Sequence, residues 1–340
     1  MIPMFHRLLV CFLFLSFSAP CPATAQPSTV GLRSALEQLL RPEAEPVLLP
    51  GAMAPLDEQV RSYYQQRGYQ PAWLTDRGAT EQLFVLLEAL RASSDEGLCP
   101  ERYGLRTLES YLPQLADAGR LGRTLPQPWP PQLELLLTQA YFRFAGDLIA
   151  GMVDPSRVNP EWRLPSREAD LGKLLNYALE FHRLGPVLQD LVPSHPDYLR
   201  LRQALIRYRE LAARGVLQPL PAGETLRPGK PDPRLESLRA RLAAEGDFPE
   251  WSGQNGPGVF DPETVRALMR FQQRHGLAVD GVLGPRTLAE LNVTPHQRVR
   301  QIELSMERWR WLPKSLGERY LIVNIAGFQL QVVEKDQVVL

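Results

Sequence analysis

Two copies of one pattern decide the fold of one part of the chain: GVFDPETVRAL (258–268) and GVLGPRTLAEL (281–291). Gly, Val, an apolar residue, Pro, Thr and a final Leu occur in both, and each matched position is shifted by 23 residues (281 minus 258). Gly permits a left-handed turn, and Pro fixes φ at the start of a helix, so each copy predicts a turn followed by a helix. Repeats this short cannot bury an apolar face alone, so we expect them to pack together as one small helical unit.

The pattern also separates core from surface within this unit. The segment 233–248 (PRLESLRARLAAEGDF) adds a third predicted helix. Asp280 precedes Gly281, and bracing that turn is the interpretation we favour for its carboxylate. The positions predicted to form the shared core are Leu268, Phe271, Leu277, Val282, Leu283, Leu288 and Leu291.

Outside the repeat, the helical period dominates. Apolar residues recur at three- and four-residue spacing from about Ser28 to Glu210, which predicts an all-helical domain over residues 26–216. We expect its aromatic residues, such as Tyr64, Trp73 and Tyr141, to pack in a core. A Pro/Gly linker is predicted over 217–232, the repeat unit over 233–293 and a helical connector over 294–317. The predicted fold class is therefore mainly α.

The last residues, 318–340, change character. Tyr320–Asn324, Phe328–Glu334 and Gln337–Leu340 are predicted to be short strands, with turns at Gly327 and at residues 335–336. Three short strands bury little by themselves and leave sheet edges open for pairing. We therefore expect this meander to be the truncated start of a β-rich domain.

The N-terminal residues have the pattern of an export signal. LLVCFLFLSF (8–17) follows Arg7, is too short to span a bilayer, and precedes an Ala-x-Ala motif at residues 23–25. This predicts a signal peptide over 1–25 and a periplasmic protein with no transmembrane segment in the mature chain. Lipidation at Cys21 is the less favoured alternative, because Pro20 stands where a small flexible residue is needed.

Charge and motifs exclude several functions. The chain has 38 basic and 38 acidic residues, so no net field attracts nucleic acid. The histidines are scattered, no cysteine pair remains after export, and no nucleophile or dinucleotide motif is present. Gly223 to Lys230 fails as a phosphate loop, because five residues separate the glycines and Pro231 replaces the Ser or Thr. No metal site, cofactor or catalytic residue is predicted, and Cys99 is interpreted as a loop or core thiol.

TVRALMRFQQRHGLAVDGVLGPRTLAELN (264–292) resembles the peptidoglycan-binding domain of bacterial cell-wall enzymes. Segments such as RSYYQQRGYQPAWL, LIAGMVDPSRVNPEW and HPDYLRLRQALIRYR are similar to the helical scaffold domain of large periplasmic L,D-transpeptidases of the YcbB-like type. LNVTPHQRVRQIELSMERWRWLP resembles their connector, and RYLIVNIAGFQLQVVEKDQVVL resembles the first strands of their YkuD-type catalytic domain. Cys99 departs from that family.

The resemblance implies a function with one part missing. In that family a cysteine, activated by histidine, attacks the meso-diaminopimelate carbonyl of a donor stem, expels D-alanine and forms a 3→3 cross-link. No residue here matches that motif, so we expect the chain as given to lack activity. The implied partners are glycan strands, stem peptides and possible wall-synthesis proteins.

Two alternatives stay open besides the transpeptidase hypothesis. The chain could act as a non-catalytic wall-binding or adaptor protein, and lysis by the helical domain has only unassigned carboxylates in its favour. The polar residues Gln272, Arg274 and Arg286 lie beside the repeat junction and are candidates, with Asp280, for peptidoglycan binding.

Overall fold

The computed structural model describes residues 30–41, 56–75, 78–121, 129–215, 218–248, 258–324, 329–335 and 337–340. These residues form helices and two small antiparallel sheets, which confirms the mainly α prediction. The predicted signal peptide lies outside the described residues. Among those described, no helix combines the length and the apolar character that a membrane crossing requires.

The N-terminal helices share one core. They are joined by a hairpin of β1 (Leu74–Thr75) and β2 (Gly78–Ala79) and by single-turn 3-10 helices at Ala92–Glu96 and Pro100–Tyr103. The helices are α1 (Val30–Leu39), α2 (Glu58–Gln66), α3 (Glu81–Arg91), α4 (Leu105–Glu109), α5 (Leu112–Leu121), α6 (Trp129–Ala150), α7 (Pro155–Val158), α8 (Leu171–Glu180) and α9 (Leu184–Leu191).

Helix α6 runs through the middle of this core, and its apolar residues are buried over most of its length. The aromatic residues that the sequence assigns to packing are buried here, including Tyr64, Trp73 and Tyr141. A carboxylate lies among them: Glu134 is fully buried and accepts hydrogen bonds from the Tyr64 hydroxyl (2.8 Å) and from Leu74 N–H (2.9 Å). Burial raises the pKa of Glu134, and hydrogen bonds from backbone N–H groups and Tyr64 oppose that rise.

The second half of the chain contains α10 (Pro196–Arg214), α11 (Leu235–Ala244), α12 (Pro262–Arg274), α13 (Pro285–Leu291) and α14 (Pro295–Arg310). Helices α10 and α14 pack along each other around a separate core that includes Tyr198, Leu205 and Met306. The sequence assigned α10 to the first domain and α14 to a connector. Their shared core makes them one helical pair, because their apolar faces cover each other.

A buried ion pair within α14 binds the backbone of the N-terminal domain through hydrogen bonds. Glu307 Oε1 accepts hydrogen bonds from the backbone N–H groups of Met152 (2.6 Å) and Val153 (3.0 Å), just after α6. Glu307 Oε2 lies 3.0 Å from Arg310 Nη1, and Arg310 is fully buried. Arg310 Nη2 in turn donates to the Glu96 carbonyl and to the Tyr198 hydroxyl.

Helices α11, α12 and α13 share a core of their own. Of the seven predicted core positions, Leu268, Phe271, Leu283 and Leu291 are buried and Leu277 and Leu288 pack against them. Val282 is half-buried and lies outside this core. The predicted packing of the two copies is otherwise confirmed.

The segment 218–232 is not a free linker. Leu220 and Leu226 are buried in the same core as the repeats. Leu226 exchanges backbone hydrogen bonds with Leu283 in the second copy, and Phe260 N–H in the first copy donates to the Lys230 carbonyl (2.8 Å). The Pro-rich composition predicted a linker. An extended backbone that buries two leucines can instead pack across both copies of the repeat, as this segment does.

The predicted strands form a three-stranded meander of β3 (Arg319–Asn324), β4 (Gln329–Glu334) and β5 (Gln337–Val338). Leu321 pairs with Val332, and Val323 pairs with Leu330, so these apolar residues share one face. Leu321 is 64% exposed and Val323 is 60% exposed. The prediction of strands is confirmed, with one sheet face uncovered by any described residue.

We predict that Glu307→Gln destabilises the chain strongly. The substitution leaves the buried Arg310 guanidinium without its counter-charge, and breaking such a pair costs about 3–5 kcal/mol. Chemical denaturation measures this. Arg300→Gln on the same helix is the control, because Arg300 is exposed and lies 3.5 Å from Glu303. We expect the control to change the free energy of unfolding by less than about 0.5 kcal/mol; equal effects of the two variants would refute the prediction.

Candidate functional site

The two copies of the repeat begin their helices in related ways. Pro262 and Pro285 occupy the first turn of α12 and α13, as predicted. Each copy then buries a threonine whose hydroxyl receives a hydrogen bond from the preceding helix. Thr264 Oγ1 accepts from Arg239 Nε of α11 (2.9 Å), and Thr287 Oγ1 accepts from Gln272 Nε2 of α12 (3.3 Å).

Gln272 occupies the centre of the module. It is 1% exposed, and its Oε1 accepts from the Gly281 N–H (2.9 Å) while its Nε2 donates to Asp280 Oδ1 (2.8 Å). We predicted Gln272 as a ligand contact from its position at the repeat junction. In the structure both ends of the amide are bonded inside the module and shielded from solvent, so the contact of Gln272 with a ligand stays a prediction that would require these bonds to be exchanged.

Arg274 belongs to a buried charged cluster. Its guanidinium contacts Glu245 Oε2 (3.0 Å), Asp247 Oδ1 (3.2 Å) and the Tyr208 hydroxyl (3.0 Å). Tyr208 lies on α10, so Arg274 joins the module to the helical pair. Arg274 is about one-third exposed (34%), but carboxylates already surround its guanidinium. A contact between Arg274 and a ligand, which the sequence predicted, would have to compete with these carboxylates.

Glu245 is the centre of that cluster. It is 1% exposed, and its Oε1 accepts from Arg241 Nε (2.9 Å). Burial acts to raise the pKa of Glu245, but the nearby His275, Arg274 and Arg241 outweigh burial and lower it to about 2. Sequence reasoning missed Glu245 and Arg239, because nothing in their local pattern distinguishes them from solvated helix charges.

The other two candidates lie on the surface. Asp280 is exposed, and its Oδ1 accepts from the Val282 N–H (2.9 Å) as well as from Gln272, so it braces the turn as the favoured interpretation expects. These bonds lower the pKa of the Asp280 carboxyl. Arg286 is exposed in the first turn of α13, and no hydrogen bond or ion pair ties it to the described residues. Of the four candidates, Arg286 is therefore the one whose charge is free to meet a ligand.

The described residues offer little for covalent or metal chemistry. Cys99 is exposed, and its Sγ lies 3.2 Å from Glu101 Oε2. Within the described ranges, no three His, Cys, Asp or Glu side chains are grouped to hold a metal ion. The site is a polar surface on a rigid module, which suits binding.

Comparison with known families assigns this module. Residues 231–291 match the family model "Putative peptidoglycan binding domain". This part of the chain is therefore similar to a peptidoglycan-binding domain. Residues 58–205 match the family model "Scaffold domain". No curated protein matches the chain. Because peptidoglycan lies outside the cytoplasmic membrane, a match to a peptidoglycan-binding domain indicates that this chain acts outside the cytoplasm.

The turn of the second copy gives a stability prediction. Gly281 has φ of +66°, and a Cβ there would lie 2.7 Å from Val265 Cγ1. Gly276 has nearly the same φ, +65°, with nothing within 4 Å of a Cβ. Left-handed backbone costs a non-glycine residue about 1–2 kcal/mol, so Gly276→Ala measures that cost alone. We expect Gly281→Ala to lower the free energy of unfolding further; a smaller loss than in Gly276→Ala would contradict the steric argument.

The charged cluster predicts acid sensitivity. The folded-state pKa of Glu245 is about 2 against an ordinary 4.5, so its contribution is complete above pH 4.5 and is lost as pH falls toward 2. That contribution reaches about 3 kcal/mol. We expect the difference in unfolding free energy between wild type and Glu245→Gln to shrink over this window.

Denaturation between pH 5 and pH 2 measures the effect. Glu236→Gln is the control, because Glu236 is an exposed carboxyl in the first turn of α11, the helix that Glu245 caps. A difference between wild type and Glu245→Gln that stays constant with pH would show that the ionised carboxylate is not what stabilises the cluster.

Proposed function

We propose that this chain is the wall-binding part of a periplasmic L,D-transpeptidase, which forms 3→3 cross-links through a cysteine acyl-enzyme. The order of the parts carries the proposal. A Scaffold match (58–205) precedes the peptidoglycan-binding match (231–291), and α14 then leads into β3–β5. In this function the module holds peptidoglycan, and no residue of this sequence matches the motif of the cysteine nucleophile.

The sheet supports the same proposal. The face that carries Leu321, Val323 and Leu330 has side chains exposed by 64, 60 and 52%. Soluble proteins rarely leave such a contiguous aliphatic face open to water. A β-rich catalytic domain of which β3–β5 are the first strands would cover it.

The native mass in the periplasm tests the transpeptidase proposal. An antibody raised to residues 26–230 would detect the protein in a periplasmic extract. A species well above the 38.4 kDa of this chain is the expected result. A species near that mass, less the signal peptide, would favour the non-catalytic adaptor, with any cross-linking cysteine supplied by a separate protein.

Pelleting with purified sacculi tests wall binding itself. We predict that Arg286→Ala lowers the bound fraction about two- to five-fold, because an exposed guanidinium paired with a carboxylate contributes about 0.2–1 kcal/mol. Arg308→Ala, which removes an exposed guanidinium from α14 outside the module, is the matched control and should pellet like wild type. Equal pelleting of both variants and wild type would remove Arg286 from the binding surface.

Arg274→Ala separates binding from stability in the same assay. Because Arg274 bonds Glu245, Asp247 and Tyr208, its removal should lower the melting temperature before it changes any ligand contact. Pelleting is therefore compared at a temperature where circular dichroism shows both variants folded. Under that condition, Arg274→Ala should pellet more than Arg286→Ala.

A further inference from the structure

A second polar site lies where the helical domain meets the segment that leads from α14 into β3. A cavity of about 360 Å³ opens between the α9–α10 loop and the residues after α14. We call it the Arg167 pocket. The residues that line it and carry the argument are Arg167, His195, Trp309, Lys314 and Tyr320.

Arg167 is the unusual member of this pocket. It is 9% exposed, and its Nη2 donates to the Leu191 carbonyl (2.9 Å). Its Nη1 is buried and has no hydrogen-bond partner. A buried guanidinium N–H without a partner costs free energy, so such a group usually has a ligand or carboxylate to bind.

No carboxylate of the described chain fills that role. Neither aspartate nor glutamate is among the described residues that line the Arg167 pocket, and no ion pair joins Arg167 to any described residue. Burial lowers the pKa of the Arg167 guanidinium, as expected for a charge without a close counter-charge. Lys314, exposed at the rim, adds a second positive charge.

The walls of the pocket suit a ligand with an organic body. The imidazole of His195 stacks on the indole of Trp309 with ring centroids 4.3 Å apart. His195 Nδ1 accepts a hydrogen bond from the Asp197 N–H (3.2 Å), which leaves the proton of the neutral ring on Nε2 as a donor. Proline and leucine side chains, including Pro313 and Leu316, complete the apolar wall.

A second cavity, of about 470 Å³, shares Arg167, Pro313 and Lys314 with the first. It is lined by apolar residues such as Leu174 and Val187, but also by Glu168 and Asp190. The acidic residues make it a poor place for an anion. They could receive an ammonium group from a ligand whose carboxylate meets Arg167 in the adjoining pocket.

We propose that the Arg167 pocket binds the terminal carboxylate of a short peptide, namely a stem peptide of peptidoglycan. The identity of this ligand rests on the proposed wall-binding function, whereas the carboxylate chemistry rests on Arg167 alone. The unpartnered Nη1 of Arg167, a rim lysine and a ring platform match a carboxylate with a peptide body.

Isothermal titration calorimetry of the full chain tests the proposal. The probes are the synthetic tetrapeptide stem L-Ala-D-Glu-meso-diaminopimelate-D-Ala, the same peptide with a C-terminal amide, and inorganic phosphate. We expect saturable binding of the acid, and binding weaker by about ten-fold or more for the amide. Equal affinity of acid and amide would overturn the assignment, and so would binding of phosphate without the peptide.

Variants locate the binding in this pocket. Arg167→Gln should weaken the acid peptide by about ten-fold or more, and Lys314→Gln by about two- to five-fold. Arg157→Gln is the control, because Arg157 is exposed on α7 and lines neither cavity. If Arg167→Gln fails to fold, the Lys314→Gln variant and the peptide amide still decide the question. Unchanged affinity in a folded Arg167→Gln would refute the proposal.

Sacculus pelleting separates the two proposals. Because the repeat module holds the wall, Arg167→Gln should pellet with sacculi nearly as wild type does. If the wild-type chain does not pellet with sacculi, the proposed wall binding is refuted, but the result of the peptide titration remains valid. Peptide binding that is absent while sacculi still pellet would refute the Arg167 pocket alone.

Discussion

The buried pair of Glu307 and Arg310 is the constraint on which the arrangement of this chain depends. Glu307 takes hydrogen bonds from two backbone N–H groups just after α6, and Arg310 donates to the backbone of Glu96 and to Tyr198 on α10. Two residues of one helix therefore bind three segments that lie far apart in sequence. A Cβ on Gly151 would lie 2.5 Å from Glu307 Oε1, so the chain passes this carboxylate too closely for any side chain.

The same principle joins the peptidoglycan-binding domain to the rest. Glu245 and Arg274 meet Tyr208 of α10 in a cluster whose carboxylates are shielded from solvent. Charges in such a place stabilise only when every partner is present, since an unpaired one is costly. This makes the cluster a sensitive joint: substitution of one member disturbs both the repeat module and the helical pair. Exposed side chains such as Arg286 remain the candidates for ligand contact, because the inner polar groups of the module are bonded to one another.

The Arg167 pocket contrasts with these clusters. Arg167 is 9% exposed, yet no carboxylate of the described residues lines its pocket. Each of the other buried arginines among the described residues is paired with a carboxylate, whereas Arg167 is left open at the junction of the helical domain, α14 and β3. A ligand there would touch both the helical domain and the segment leading into the sheet. Wall binding by the repeat module and peptide binding at this junction would then act on the same polymer.

The sequence by itself determined the local structure, and the resemblance of residues 264–292 indicated peptidoglycan as the class of ligand. Periodicity predicted the helices, the 23-residue repeat predicted the paired turns that Pro262 and Pro285 begin, and alternation predicted β3–β5. These signals are local, because propensity and burial of one face act within a few residues. Only the tertiary structure decided which polar residues are hydrogen-bonded inside the fold and which are free at the surface. Gln272 and Arg286 look alike as helix-surface residues, but one is buried among four hydrogen bonds and the other is free. Likewise, the composition of residues 218–232 predicts a linker, whereas the structure packs them against the repeats. The sequence does not show this packing, because partners that are distant in sequence leave no periodic signal.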